Sequence, residues 1–251
     1  MLKIIVSIVS ILVLNSVLYY IDLESYISIT TSLILYTLLF FWLQTPKIDF
    51  NLKKKLLKLY LYSFFIVLSV ILLIILDYSL NISLNILVFN KLPTFSKTDI
   101  SLLQASYLFL LTPICEEIIF RGKIQKYFES KINYHGAIII TSLLFTLIHI
   151  FSGSGLIFIL ASSIFLGYVY FKTDNIFLII IIHSLYNSTS FYVSNFNFLE
   201  SFGQDHNLFL MSSISGIIIS LIGLVRLIRF RDRIYNFLVR IFSELFLNPN
   251  L

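Results

Sequence analysis

Apolar runs of near-membrane length recur along the whole chain, each closed by a short polar or charged link. They lie near Ile4–Tyr20, Ile27–Leu43, Leu59–Leu76, Leu102–Phe120, Gly136–Phe151, Leu156–Phe171, Ile176–Val193 and Leu208–Val225. About 20 helical residues cross a bilayer, fewer where it thins. The pattern therefore predicts an all-α, polytopic transmembrane helix bundle of about eight spans. The stretch Asn81–Thr98 is apolar but interrupted by Asn81, Asn85, Asn90 and Pro93. It reads as a surface-lying segment, with a substrate gate as the other reading. Ser152–Gly155 reads as a flexible turn. From Arg226 onward, Leu227, Ile228, Ile234, Phe237, Leu238, Ile241 and Phe242 recur at near-helical spacing. They predict a basic amphipathic helix along the inner leaflet. The first twenty residues have the charged start of a signal peptide but no small-residue cleavage site before Asp22, so they read as the first span. No internal repeat is visible.

Composition agrees with this pattern. The chain has 251 residues, 58% hydrophobic and 12% charged, where a soluble domain carries roughly 25% charge. The net charge of +5 raises the question of nucleic acid; its distribution excludes that reading. Lys3, the link with Lys47, Lys53, Lys54, Lys55 and Lys58, the link with Arg121, Lys123, Lys126 and Lys131, then Lys172, and the tail with Arg226, Arg229, Arg231, Arg233 and Arg240 all fall on one side of an eight-span model. They are 16 of the 18 basic residues. The other side has Lys91 and Lys97, with Asp22, Glu24, Asp77, Asp99, Glu200 and Asp205. Basic links mark the cytoplasmic side, so both termini are expected there. The single cysteine, Cys115, allows no internal disulfide. A thiol beside Glu116 is a candidate nucleophile, but small buried cysteines are common packing residues.

The polar residues inside the apolar runs carry the candidate chemistry. Ionisable groups at membrane depth are costly and call for a named partner. Glu116-Glu117-Ile118-Ile119-Phe120-Arg121 follows an apolar run. On a helix, Glu117 and Arg121 are i,i+4 neighbours and can pair. Glu116 stands about 140° around the helix from Arg121, so it faces elsewhere. Phe145 and His149 share a face of the fifth span, and His183 and Asn187 a face of the seventh. Each buried polar group needs a partner in hydrocarbon, and the economical solution is that these are partners of one another. If the fourth helix continues to about Ser130, Glu116 and His149 both lie roughly 21–22 Å above the following turn.

Such a set can hydrolyse a peptide bond. Glu116 and His149 can hold and deprotonate a water, while His183 and the Asn187 amide can donate to a developing oxyanion. No cofactor is needed for that. The alternative is zinc on Glu116, His149 and His183, since two histidines and a carboxylate suffice for a catalytic site, although the His-Glu-x-x-His motif is absent. The metal-free reading is preferred.

Glu-Glu-x-x-x-Arg, Phe-x-x-x-His and His-x-x-x-Asn on successive spans resemble the CAAX protease and bacteriocin-processing (Abi) family of intramembrane peptidases, which includes the type II CAAX prenyl endopeptidases. The resemblance covers about Leu102 to Tyr192, with all three motifs intact and in order. It implies an eight-helix bundle with a cavity open to the cytosol, and a catalytic set of Glu116, Glu117, Arg121, His149, His183 and Asn187. Within it Glu116 and His149 activate water, and His183 and Asn187 stand at the oxyanion. The metal question is carried by the family too. One membrane domain is expected, in three parts: residues 1–100 with three spans and an interfacial segment, 101–193 as the catalytic core, and 194–251 with the last span and tail. The expected partners are the bilayer and a membrane-associated peptide or lipid-anchored protein, without nucleic acid. In a bacterial plasma membrane, which the Ile-, Asn- and Lys-rich composition suggests, that fits bacteriocin maturation, self-immunity or pheromone processing. Two other readings stand beside the protease: a non-catalytic scaffold or immunity factor, and a carrier with a proton relay, which would call for repeat symmetry.

Overall fold

The computed structural model describes residues 62–91, 101–150, 155–195 and 206–246, together with Val6, Leu35, Leu38 and Trp42. All regular structure among the described residues is helical. Helix α1 is Ser63–Phe89. Helix α2 is a continuous run of Leu102–Ser106, a π-helical stretch Tyr107–Leu111, Thr112–Glu117, a second π stretch Ile118–Gln125, and Lys126–Glu129. Then come α3 (Tyr134–Ile148), α4 (Leu156–Thr173), α5 (Ile176–Asn195) and α6 (His206–Phe246). Six of the eight expected spans coincide with these helices. The expected spans Ile4–Tyr20 and Ile27–Leu43 lie outside the described residues, four isolated positions apart. Ser63–Phe89, Leu156–Thr173, Ile176–Val193 and Phe209–Arg229 are long and apolar enough to cross a membrane.

Two boundaries differ from the sequence reading. Helix α1 does not stop at Leu76: over Asn81–Phe89 the expected surface-lying segment is the same helix continued. The asparagines do not break it because they satisfy each other. Asn85 Nδ2 donates to Asn81 O at 2.9 Å and to Asn81 Oδ1 at 2.7 Å. The helix ends at Asn90, in the left-handed conformation with φ 50°, which asparagine tolerates better than most residues. At the other end of the chain, α6 runs unbroken for 41 residues, about 60 Å. The expected tail helix from Arg226 is therefore continuous with the last span.

The bundle sets polar side chains within an apolar core and exposes further apolar ones on its outer surface. Ser69, Ser79, Ser83, Glu116, Glu117, Arg121, Gln125, Thr141, Ser142, Ser163, Ser213 and Ser220 are buried, while Ile71, Ile75, Ile218, Ile219, Ile222 and Val225 are exposed. Many interior hydroxyls return a bond to the carbonyl one turn back, as Ser69 Oγ does to Phe65 O at 2.6 Å and Ser220 Oγ to Gly216 O at 2.7 Å. Such local bonds satisfy hydroxyls where no water is at hand. Between helices in lipid, close approach rather than hydrophobicity drives packing, and small residues permit it. Helix α6 packs along α1 in this way. Ser83 Oγ and Ser213 Oγ are 2.7 Å apart, and a Cβ at Gly216 would collide with Ser79 Oγ, one at Gly223 with the Leu72 methyls.

The turns that set the register of the core are locally capped. Asn133 Oδ1 accepts from Gly136 N at 2.8 Å and opens α3. Asn175 Oδ1 accepts from Phe177 N at 3.2 Å and opens α5. An asparagine acceptor at a helix start satisfies an otherwise orphaned N–H. Helix α5 touches α1, α2 and α4, so side chains on its different faces can meet three other helices.

Candidate active site

The α2 segment Thr112–Glu117, between the two π stretches, presents both glutamates to the interior. Glu116 is 4% exposed, Glu117 0% and Arg121 1%. Charges buried this deeply need partners, and here each has at least one. Glu117 Oε2 lies 3.2 Å from Arg121 Nε, the i,i+4 pair expected from spacing. Its other oxygen accepts from His183 Nδ1 at 2.8 Å, a bond to α5 that spacing did not reveal. Arg121 Nη2 donates to Ser163 Oγ at 3.0 Å and to Ser163 O at 3.2 Å on α4. The guanidinium carbon stands 4.8 Å from the Phe145 ring centroid, within reach of a cation–π contact. Phe145 in turn meets Phe120 edge-on, at 5.1 Å. One ion pair therefore ties α2, α3, α4 and α5 together.

Glu116 faces the two histidines. Its Oε1 is 3.6 Å from His149 Nε2, and its Oε2 is 3.9 Å from His183 Nε2. His149 is the residue just past the last turn of α3, with φ −96° and ψ 7°. Its own N–H bonds to Thr146 O, which leaves Phe145 O without that amide. The His149 ring takes the place: Nδ1 is 2.8 Å from Phe145 O. A carbonyl only accepts, so Nδ1 carries the proton, and in the neutral ring Nε2 offers a lone pair toward Glu116. His183 is arranged alike, with Nδ1 donating to Glu117 and Nε2 turned toward Glu116.

Asn187 lies one turn beyond His183. Its Nδ2 donates to Leu108 O at 3.3 Å. The reason lies in α2. The Thr112 N–H bonds five residues back, to Tyr107 O; the next amide in that register belongs to Pro113, which has no N–H. Leu108 O is left without that partner and accepts from Asn187 instead. An asparagine amide has two hydrogens, so the second is the one available to a ligand.

The structure thus brings Glu116, Glu117, Arg121, His149 and His183 into one cluster, with Asn187 at its edge on the same face of α5. Sequence reasoning missed Ser163, Pro113 and the carbonyls of Leu108 and Phe145. A proline five residues after Leu108 in an apolar run was the available signal for one of them. As to zinc, the donors are chemically suitable, with Nε2 lone pairs and outward Nδ1 protons as in metal-bound histidines. The separations of 3.6 and 3.9 Å exceed the roughly 3.3 Å that ligands about 2.0–2.1 Å from a tetrahedral zinc keep. Among the described residues no group of three His, Cys, Asp or Glu side chains forms a metal position. Cys115 is half-buried.

Residues 98–189 match the family model described as type II CAAX prenyl endopeptidase Rce1-like. The match contains all six motif residues and supports the CAAX protease family for this part of the chain. No curated protein and no solved structure matches the chain.

Proposed function

With an Rce1-like CAAX protease domain at residues 98–189 of an integral membrane protein, we propose that the chain hydrolyses a peptide bond of a membrane-associated peptide or protein, with Glu116 and His149 activating the water. The observation that carries this is the 3.6 Å between Glu116 Oε1 and His149 Nε2, with His149 held by Phe145 O. A water about 2.8 Å from both atoms donates one hydrogen to each and turns its lone pairs outward. Glu116 takes a proton as the water oxygen bonds to the carbonyl carbon. The oxyanion is met by the free Asn187 hydrogen and, where the His183 ring carries a second proton, by its Nε2–H. Glu116 then returns the proton to the nitrogen, the C–N bond breaks, and a carboxylate and an amine leave. The basic links favour a site reached from the cytoplasmic side of a bacterial plasma membrane, where bacteriocin, pheromone or lipid-anchored precursors are the candidate substrates.

Zinc is the second reading, favoured by the two Nε2 lone pairs. Glu116, His149 and His183 would hold it, and it would supply Lewis-acid polarisation of the carbonyl.

The test compares the small-peptide content of cells carrying the wild type with cells carrying Glu116→Gln at equal membrane abundance. Peptides present only with the wild type support the reading; identical peptide profiles overturn it.

A further inference from the structure

Outside the cluster around Glu116, a second acid is held within the bundle. Asp77 is the fifteenth residue of α1 and lies outside the matched residues 98–189. Its Oδ2 accepts from Tyr186 Oη at 2.6 Å and from Ser190 Oγ at 3.4 Å, both on α5. An acid inside a membrane helix is costly, and its retention asks for a role. The proposed hydrolysis does not use it.

The placement on α5 supplies the role. At about 100° per residue, His183, Tyr186, Asn187 and Ser190 fall within about 100° of one another. One face of α5 is therefore pinned from two sides. Helix α2 takes His183 through Glu117 and Asn187 through Leu108 O; helix α1 takes Tyr186 and Ser190 through Asp77. A rotation of α5 moves both pairs together, because Tyr186 is one turn from His183, so the bonds to Asp77 and those to α2 hold the same rotation. Tyr186 is also packed on Phe158 of α4, with ring centroids 5.0 Å apart, so its hydroxyl has little freedom to follow Asp77.

We propose that Asp77 is a positioning residue for this site, acting through Tyr186 and Ser190 to set the rotation of α5 and so the direction in which His183 meets the two glutamates. The inference rests on the proposed hydrolysis at Glu116, and its test is separate from the test of that reaction.

The test reads His183 itself. The chain has four histidines, so the full-length protein labelled with 15N-histidine in lipid nanodiscs gives a tractable NMR spectrum, with His183→Gln used for assignment. The wild type should show a His183 Nδ1–H signal protected by Glu117. Tyr186→Phe, which keeps the ring and removes the hydroxyl, should lose that signal or shift it toward a tautomer mixture, as should Asp77→Leu. Asp77→Asn, which keeps an acceptor oxygen for Tyr186, should retain it. If Asp77→Leu fails to fold, Tyr186→Phe decides. A Tyr186→Phe protein with the His183 signal unmoved overturns the proposal, even if its melting temperature falls, since that is the behaviour of a mere strut. Cleavage that persists in Glu116→Gln would instead strike the proposed function and leave the Asp77 result standing.

Discussion

Glu117 Oε1 and His183 Nδ1 stand 2.8 Å apart, across 66 residues of sequence. With its other oxygen on Arg121, Glu117 holds both the charge and the imidazole of its neighbours. Glu116 has neither task and is turned to the Nε2 atoms of both histidines. Adjacent and chemically identical, the two carboxylates are made unequal by what surrounds them.

Glu116→Gln should therefore abolish cleavage and leave the melting temperature in detergent close to wild type. Glu117→Gln should act mainly through stability, because Arg121 loses its carboxylate in the interior; breaking a buried pair costs about 3–5 kcal/mol. Membrane abundance should fall with it. Glu117→Gln with Arg121→Gln should recover part of the stability, since no lone charge remains. A stable, wholly inactive Glu117→Gln single variant would contradict this division of labour.

Pro113→Ala restores an N–H to α2 and with it a competitor for Leu108 O. The Asn187 amide should lose its anchor. Removing an interior proline does not weaken a helix, so the protein should melt at or above the wild-type temperature. Cleavage should drop, by up to about 10²-fold if Asn187 is an oxyanion donor. Unchanged cleavage would mean that the Leu108 contact does not orient Asn187 for the reaction.

Gly216→Ala should weaken the α1–α6 contact, because the added methyl meets Ser79. Overpacking costs about 1–3 kcal/mol. Ser79→Gly in the same protein removes the obstructing side chain and should restore most of the lost melting temperature. If the single variant is as stable as wild type, α6 is not held where the structure places it.

Purified protein should keep its cleavage after treatment with a strong chelator and dialysis. Loss of cleavage that returns on adding zinc, and not magnesium, would replace the metal-free reading with the zinc one.

For topology, the 16-to-2 division of basic residues predicts that a cysteine placed at Ser201 in a Cys115→Ser background is labelled by an impermeant maleimide from outside the cell. Labelling from the cytoplasmic side alone would break the eight-span order.

What was legible in the sequence was what lies on one helix. Glu117 and Arg121, or Phe145 and His149, are four residues apart, and helical geometry alone brings them together. The shared level of Glu116 and His149 followed from counting residues to a turn, which the structure places at residues 130–133. The contacts between helices were not legible. Nothing in spacing pairs Arg121 with Ser163 or His183 with Glu117, because those depend on how each helix is rotated. Asp77 was assigned to an outer link because the apolar run ends at Leu76; the helix continues because Asn81 and Asn85 bond to each other. The end of α6 was misread for a similar reason, since a rise in charge at Arg226 does not by itself end a helix.

The hold on His149 has a consequence for how this protein can vary. Its imidazole is oriented by a main-chain oxygen at position 145, and every amino acid brings the same oxygen. No substitution of the side chain at 145 removes that acceptor, so a mutational scan will record position 145 as a packing site and miss the bond altogether. Only a change in where α3 ends, by insertion or deletion within its last turn, can alter it. Part of the candidate site is thus encoded in the length of a helix, and sequence drift can rewrite the surrounding side chains without touching it.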